Sequence, residues 1–120
     1  MRSVLLITAL LLGASPAMGQ SLCVEPNMPM PLDGAAATAD QMRAAMADAR
    51  NFIAQSGVYQ ECLAKEVEDA KGQATAAGQP FDGAVEAAAR AKVDVSRKAQ
   101  ERVGATLNNA MVAYKNAHSN

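Results

Sequence analysis

The chain has 120 residues, of which 50% are apolar but only 3% are aromatic, and its formal net charge is −1 at pH 7. Alanine explains the difference, since there are 27 Ala against two Phe, two Tyr and no Trp. This length allows one small domain, and the composition disfavours a β-sandwich or barrel, whose strands need β-branched and aromatic residues. The balance of 11 basic and 12 acidic residues, without a basic block, argues against nucleic-acid binding.

The first 19 residues have the pattern of a secretory signal peptide. Arg2 supplies a positive start, residues 4–12 form an apolar run, and Ala17 and Gly19 supply the small residues of a cleavage site. The run is far shorter than the about 20 residues that a membrane-spanning helix needs. We therefore expect cleavage after Gly19 rather than an uncleaved anchor. The mature chain, residues 20–120, would have no membrane span, and its expected location is the periplasm or the exterior of the cell.

Cys23 and Cys62 are the two cysteines of the chain, and both remain after the predicted cleavage. In a small exported domain such a pair favours one disulfide. A bridge between two chains, a metal site and a redox pair are the alternatives. The Cys-x-x-Cys spacing of a redox pair is absent, and the single histidine, His118, lies near the chain end. A bridge within the chain would close a loop of about 40 residues and contribute on the order of 4 kcal/mol.

The mature chain begins with a proline-rich segment, residues 20–37, which we call the strap. Its prolines disfavour a helix and favour polyproline II, and Asp33-Gly34 predicts a turn at its end. In polyproline II the residues between Cys23 and Thr38 span about 46 Å. Cys62 lies about 36 Å from Thr38 along a helix. The strap can therefore run back along the first helix and bring the two cysteines together.

Residues 38–120 predict an all-α, long antiparallel two-helix hairpin, with helices over about 39–71 and 81–116. Thr38 and Gln41 form a capping-box pattern, Lys71-Gly72 predicts the end of the first helix, and Pro80 suits the first turn of the second. Small and apolar residues recur at a mean spacing of about 3.5 residues in the first helix and about 3.6 residues in the second. The predicted core positions are Met42, Ala45, Ala49, Phe52, Ser56, Tyr59, Leu63, Val67 and Ala70, and then Val85, Ala89, Val93, Ser96, Ala99, Val103, Leu107, Ala110 and Tyr114.

Alanine at so many of these positions predicts a thin core. Facing alanines let two helices approach closely, but each buries little apolar area. We expect Met28, Met30 and Leu32 of the strap to cover apolar side chains such as Phe52 and Tyr59. Because the buried apolar area stays small even with the strap, we expect marginal stability or self-association that buries a second face of the hairpin.

The sequence contains no catalytic motif and is not expected to be an enzyme or to bind a cofactor. The acidic group Glu66, Glu68 and Asp69 is interpreted as solvated helix surface. The preferred function is an exported structural or interaction module whose apolar faces bind a second copy or a helical partner. The alternative is a small periplasmic binding protein for an apolar ligand or a soft metal, because methionine thioethers bind Cu(I). The candidate copper ligands are Met28, Met30, Met42 and Met46, which otherwise serve as packing residues.

Several short patterns resemble those of a group of short uncharacterised exported α-helical proteins of proteobacteria. They are Cys23-x-x-Pro26, Asp33-Gly34, the run from Ala37 to Met42, Tyr59-Gln60-Glu61-Cys62-Leu63, and the run from Leu107 to Lys115. The likeness covers most of the mature chain. It implies export and paired cysteines, and it implies no catalytic residue.

Overall fold

The computed structural model describes residues 21–119 as an extended strap followed by two long helices. Helix α1 spans Ala39–Ala76 and helix α2 spans Gly83–His118, and they pack antiparallel. No strand occurs among residues 21–119, so the predicted all-α hairpin is confirmed. The predicted signal peptide, residues 1–19, lies outside the described residues. Neither helix is both long and apolar enough to cross a membrane.

Both helices begin where a polar side chain satisfies free backbone N–H groups. Thr38 Oγ1 accepts a hydrogen bond from Gln41 N at 3.2 Å, and Gln41 Oε1 accepts one from Thr38 N at 2.8 Å. This reciprocal pair is the predicted capping box. Asp82 caps α2, because its Oδ1 accepts a hydrogen bond from Ala84 N at 2.9 Å. The predicted start near Pro80 is therefore two to three residues early, and the proline lies in the link between the helices.

The predicted end of α1 at Lys71-Gly72 is wrong, because the helix continues through Gly72 to Ala76. The chain turns instead at Gly78, whose φ of 65° lies in the left-handed region that favours glycine. Gly78 N donates to Thr75 O at 3.1 Å and Gln79 N donates to Ala74 O at 2.9 Å, which is the Schellman arrangement. A glycine within a helix costs only about 1 kcal/mol, so Gly72 alone does not end it.

The helical periodicity located most of the core correctly. Seven of the predicted α1 positions are buried, and α2 buries four: Met42, Ala49, Phe52, Ser56, Tyr59, Leu63 and Val67, and Ser96, Ala99, Val103 and Ala110. Val85 is an exception, since it is 41% exposed near the link. The buried apolar residues form two small clusters, one around Phe52 and Val103 and one around Met42 and Ala110.

The strap lies along α1 and is joined to it by the predicted disulfide between Cys23 and Cys62, whose Cα atoms are 5.7 Å apart. Leu32 packs on the cluster around Met42 rather than on Phe52 or Tyr59. Met30 is 91% exposed, so the prediction that it covers the core is wrong. The prolines fix the backbone path of the strap, but they do not direct this side chain inward.

The strap also contacts α2, at the turn that begins with Gly34. An ideal Cβ on Gly34 would lie only 1.8 Å from the carbonyl oxygen of Ala110. Gly34 has no positive φ, so this close backbone approach is what requires a glycine here. The turn is closed by a backbone hydrogen bond from Ala37 N to Gly34 O at 3.4 Å, and Ala35 N donates to Asp33 Oδ1 at 3.1 Å. The strap is thus attached to both helices.

Candidate functional site

The end of the strap is attached to α1 by more than the disulfide. Glu66 lies one helical turn after Cys62, and its carboxylate accepts hydrogen bonds from Leu22 N at 2.7 Å and from Ser21 Oγ at 2.8 Å. Ser21 Oγ also accepts a hydrogen bond from Cys23 N at 3.3 Å. The two sulfur atoms and a carboxylate oxygen of Glu66 all lie within 4.8 Å of one another.

The interpretation of Glu66 as solvated surface is therefore wrong, whereas Glu68 and Asp69 are exposed as expected. A signal for Glu66 was present in the sequence. Residues four apart share one face of a helix, so Glu66 lies on the same face as Cys62. Any segment disulfide-bonded to Cys62 passes within reach of that carboxylate.

Tyr59 lies on the turn before Cys62 and is buried. Burial raises the pKa of its phenol, and the nearby Glu25 and Glu66 carboxylates raise the pKa further. All three effects disfavour a phenolate, so Tyr59 stays neutral over the physiological range. The tyrosine therefore acts here as an uncharged packing residue under the strap.

The central crossing of the two helices is polar and narrow. Gln60 Nε2 donates to Ser96 Oγ at 3.0 Å and to Gln100 Oε1 at 3.2 Å, and Gln100 Nε2 donates to Ile53 O at 3.2 Å. Ser56 is fully buried, and its hydroxyl has no hydrogen-bond partner among residues 21–119. The two small serines allow close approach of the backbones, and the glutamine contacts help to set the register of the helices.

A mostly apolar groove of about 260 Å³ lies between the strap and the two helices. Met28 and Met30 line it on the strap side, and Val103 and Leu107 line it on α2. We call it the strap cleft. It has the shape expected for a small apolar ligand, because it is concave and carries few polar groups.

The structure separates the four candidate copper ligands into two pairs. Met28 and Met30 line the strap cleft, whereas Met42 and Met46 line a different groove near the start of α1. Met111 joins the second pair, and the sequence analysis missed it because it lies beside the predicted α2 stripe. Arg43 and Lys115 also line the second groove, and their positive charges oppose the binding of a cation.

A third groove, of about 460 Å³, lies between the helices on the far side of the disulfide, toward the link. We call it the distal groove. Its floor is small and apolar, and its rim carries three acidic and three basic residues. The floor consists of Ala64, Val67, Ala89 and Val93, and the rim consists of Glu68, Lys71, Glu86, Arg90, Asp94 and Arg97.

Among residues 21–119 one ion pair, Lys71 with Glu86, connects the two helices across this groove. Lys71 Nζ of α1 lies 3.2 Å from a Glu68 oxygen and 3.6 Å from a Glu86 oxygen of α2. Arg90 lies 2.6 Å from the same Glu86 carboxylate. The hydrogen bond from Arg90 lowers the pKa of Glu86, and the charges of Lys71 and Arg90 lower it further. The hydrogen bond with Glu68 raises the pKa of Lys71, so the ionised state of the rim is favoured.

His118 lies at the opposite end of the hairpin from the distal groove. Its ring stacks on Tyr114 with the centroids 4.2 Å apart, and its Nδ1 lies 2.9 Å from Tyr114 O. The structure therefore does not bring it near either cysteine or Glu66. No family model, no curated protein and no solved structure matches this chain.

Proposed function

We propose that the mature chain is an exported interaction module that pairs with a second copy of itself through the distal groove. The observation that carries this proposal is the unequal coverage of the hairpin. The described part of the strap runs along α1 from Thr38 past Cys62 to Glu66, whose carboxylate accepts hydrogen bonds from Ser21 and Leu22. The apolar floor of the distal groove has no third element of residues 21–119 packed on it.

The floor of the distal groove suits a helix. Ala89 and Val93 are half-buried, and Val67 is buried at the base. A row of small and β-branched residues lets another helix approach closely, and added burial offsets the small area that alanine provides. Two hairpins packed in this way form a four-helix arrangement, which is a common way to complete a thin helical core.

The charges on the rim favour a second copy over an unrelated helix. Three acidic and three basic side chains surround the floor, so the net charge of the rim is zero. In a two-fold dimer each surface meets its own copy, and a mixed rim can place acidic groups opposite basic ones. A strongly basic or acidic partner would leave half of these charges opposed by like charges.

Export is part of the same proposal. The signal-peptide pattern of residues 1–19 supports it, and so does the Cys23–Cys62 disulfide, since such bonds persist mainly in oxidising compartments. The proposed location of the mature chain is the periplasm. Mass analysis of the protein recovered from an osmotic-shock fraction tests this point, and the expected N-terminus is Gln20.

The dimer is tested by sedimentation equilibrium on oxidised residues 20–120. The wild-type chain should dimerise, Val93→Asp should be monomeric, and Val95→Asp should remain dimeric. Val95 is the matched control, because it lies on the same helix but is 55% exposed and does not line the groove. Circular dichroism confirms that each variant is folded. A wild-type chain that stays monomeric at all concentrations, or equal effects of the two variants, contradicts the proposal.

A second candidate function is the binding of a small apolar ligand in the strap cleft. The exposed Met28 and Met30 favour it, because flexible thioether side chains on one wall adapt to different ligands. Titration with an environment-sensitive fluorescent probe tests it, and Leu107→Gln should abolish the signal. Cu(I) titration of the same protein tests the thioethers as soft-metal ligands.

A further inference from the structure

We propose that Cys23, Cys62 and Glu66 form a Zn²⁺ site when the disulfide is reduced. The three side chains come from two separate segments, since Cys23 belongs to the strap and the other two lie on α1. Their sulfur and oxygen atoms already lie within 4.8 Å of one another. The group is the one constellation of this kind among residues 21–119.

The spacing of the backbone fits zinc coordination. Zn–S bonds of about 2.3 Å at a tetrahedral centre place two thiolates about 3.8 Å apart. The Cα atoms of Cys23 and Cys62 are 5.7 Å apart, so rotation of the side chains reaches this separation without movement of the helix. Glu66 follows Cys62 by one helical turn and supplies the third ligand from the same face. A water molecule completes the tetrahedron.

The carboxylate is held in place by contacts outside the proposed site. Leu22 N and Ser21 Oγ donate hydrogen bonds to Glu66 at 2.7 Å and 2.8 Å. Hydrogen bonds of this kind orient metal ligands and raise metal affinity. Two thiolates favour a soft or borderline ion, and the carboxylate shifts the preference from Cu(I) toward Zn²⁺.

The site forms in two steps, reduction of the disulfide and then binding of Zn²⁺. A dithiol reductant transfers two electrons and two protons to the disulfide, which breaks the S–S bond and gives two thiols and the disulfide of the reductant. Zn²⁺ then replaces the two thiol protons and forms two Zn–S bonds and one Zn–O bond, with release of two protons. The oxidised chain offers zinc no thiolate, so binding at this site follows reduction.

Zinc at this position would replace the lost covalent link between strap and helix. Reduction alone removes the bond that holds the strap at Cys62, whereas zinc joins the same two residues again. A ligand that binds only the folded state stabilises that state. Zinc should therefore raise the unfolding temperature of the reduced chain. It should leave that of the oxidised chain unchanged, because the oxidised chain has no thiolate to bind it.

The test uses residues 20–120 reduced with dithiothreitol, which is then removed by gel filtration under argon. Co²⁺ is the probe, since a cobalt–thiolate site shows charge-transfer absorption in the near ultraviolet, and Zn²⁺ should displace it at one equivalent. Glu66→Gln should weaken binding at least about 10-fold. Glu61→Gln is the matched control, because Glu61 is the exposed neighbour of Cys62 and does not belong to the site.

Two results would overturn the proposal. One is the absence of cobalt–thiolate absorption in the reduced wild-type chain, with its helical content retained by circular dichroism. The other is equal affinity of the Glu66→Gln and Glu61→Gln variants, which would mean that free thiols bind the ion without the carboxylate. A zinc-dependent rise in the unfolding temperature of reduced Glu61→Gln but not of Glu66→Gln would support it.

Discussion

Gly34→Ala places a methyl group where the strap touches α2, and it tests whether the strap is part of the folded core. The added Cβ would lie 1.8 Å from the Ala110 carbonyl oxygen and 2.8 Å from its Cα. These are backbone atoms of a helix, so no rotation of a side chain relieves the clash. Ordinary contact begins at 3.4 Å, so the turn must move away from α2 by roughly 1.6 Å.

This displacement reaches the cluster around Met42 and Ala110. Ala37 and Leu32, on either side of Gly34, both pack on that cluster. Overpacking of a core costs about 1–3 kcal/mol, and we expect about 3 kcal/mol here because adjacent contacts are lost as well. For a domain of this size each kcal/mol lowers the unfolding temperature by about 4–8 °C, so we expect a decrease of about 12–24 °C.

The assay is thermal unfolding followed by circular dichroism at 222 nm, with Gly104→Ala as the control. Gly104 is exposed in the middle of α2, and a Cβ there meets nothing within 4 Å. Alanine is preferred over glycine in a helix by about 1 kcal/mol, so this variant should be more stable than the wild type. The same substitution should thus lower the unfolding temperature at Gly34 and raise it at Gly104. An unfolding temperature of Gly34→Ala equal to or above that of the wild type refutes the reasoning.

Three further variants probe the bridge, the central crossing and the rim. Replacing both Cys23 and Cys62 by serine should lower the free energy of unfolding in urea by about 4 kcal/mol, and no change would mean that the bridge contributes no stability. Ser56→Ala should raise the free energy of unfolding by about 1 kcal/mol, because it removes a buried hydroxyl without a hydrogen-bond partner. A lower stability of this variant would mean that the hydroxyl has a hydrogen-bond partner in solution. The pKa of Glu86 is lowered, first by its hydrogen bond with Arg90, so its ionised form stabilises the fold above the usual pKa. That stability is lost as the pH falls through the lowered value. Glu86→Gln should therefore lose less stability than the wild type in an acid titration of unfolding, and parallel curves would contradict this.

The sequence was sufficient to locate the helices and their shared face. A hairpin of two long helices buries a single stripe on each, and local periodicity determines which residues form that stripe. Phe52, Leu63 and Val103 are buried as the spacing predicts. The disulfide was also predictable, because the expected export, the number of cysteines and the reach of the strap all led to the same pair.

Features that depend on how the strap sits on the hairpin were not predictable. The close approach of Gly34 to Ala110 joins residues 76 positions apart, and no local pattern marks it. The contacts of Glu66 with Ser21 and Leu22 arise because the bridge fixes the strap end over that turn of α1. The exposure of Val85 follows from its place at the uncovered end, which a helical period does not reveal.

The position of the bridge determines which part of the hairpin the strap leaves uncovered. Alanine and serine bring the helices close together but bury little area, so both compact clusters lie in the half that the strap contacts. A bridge nearer the end of α1 would let the strap cover the distal groove as well. Beyond Cys62 the helices are held together by buried side chains such as Val67 and by one half-buried ion pair, Lys71 with Glu86. The proposed dimer would add apolar burial at this end of the hairpin, which the strap does not cover.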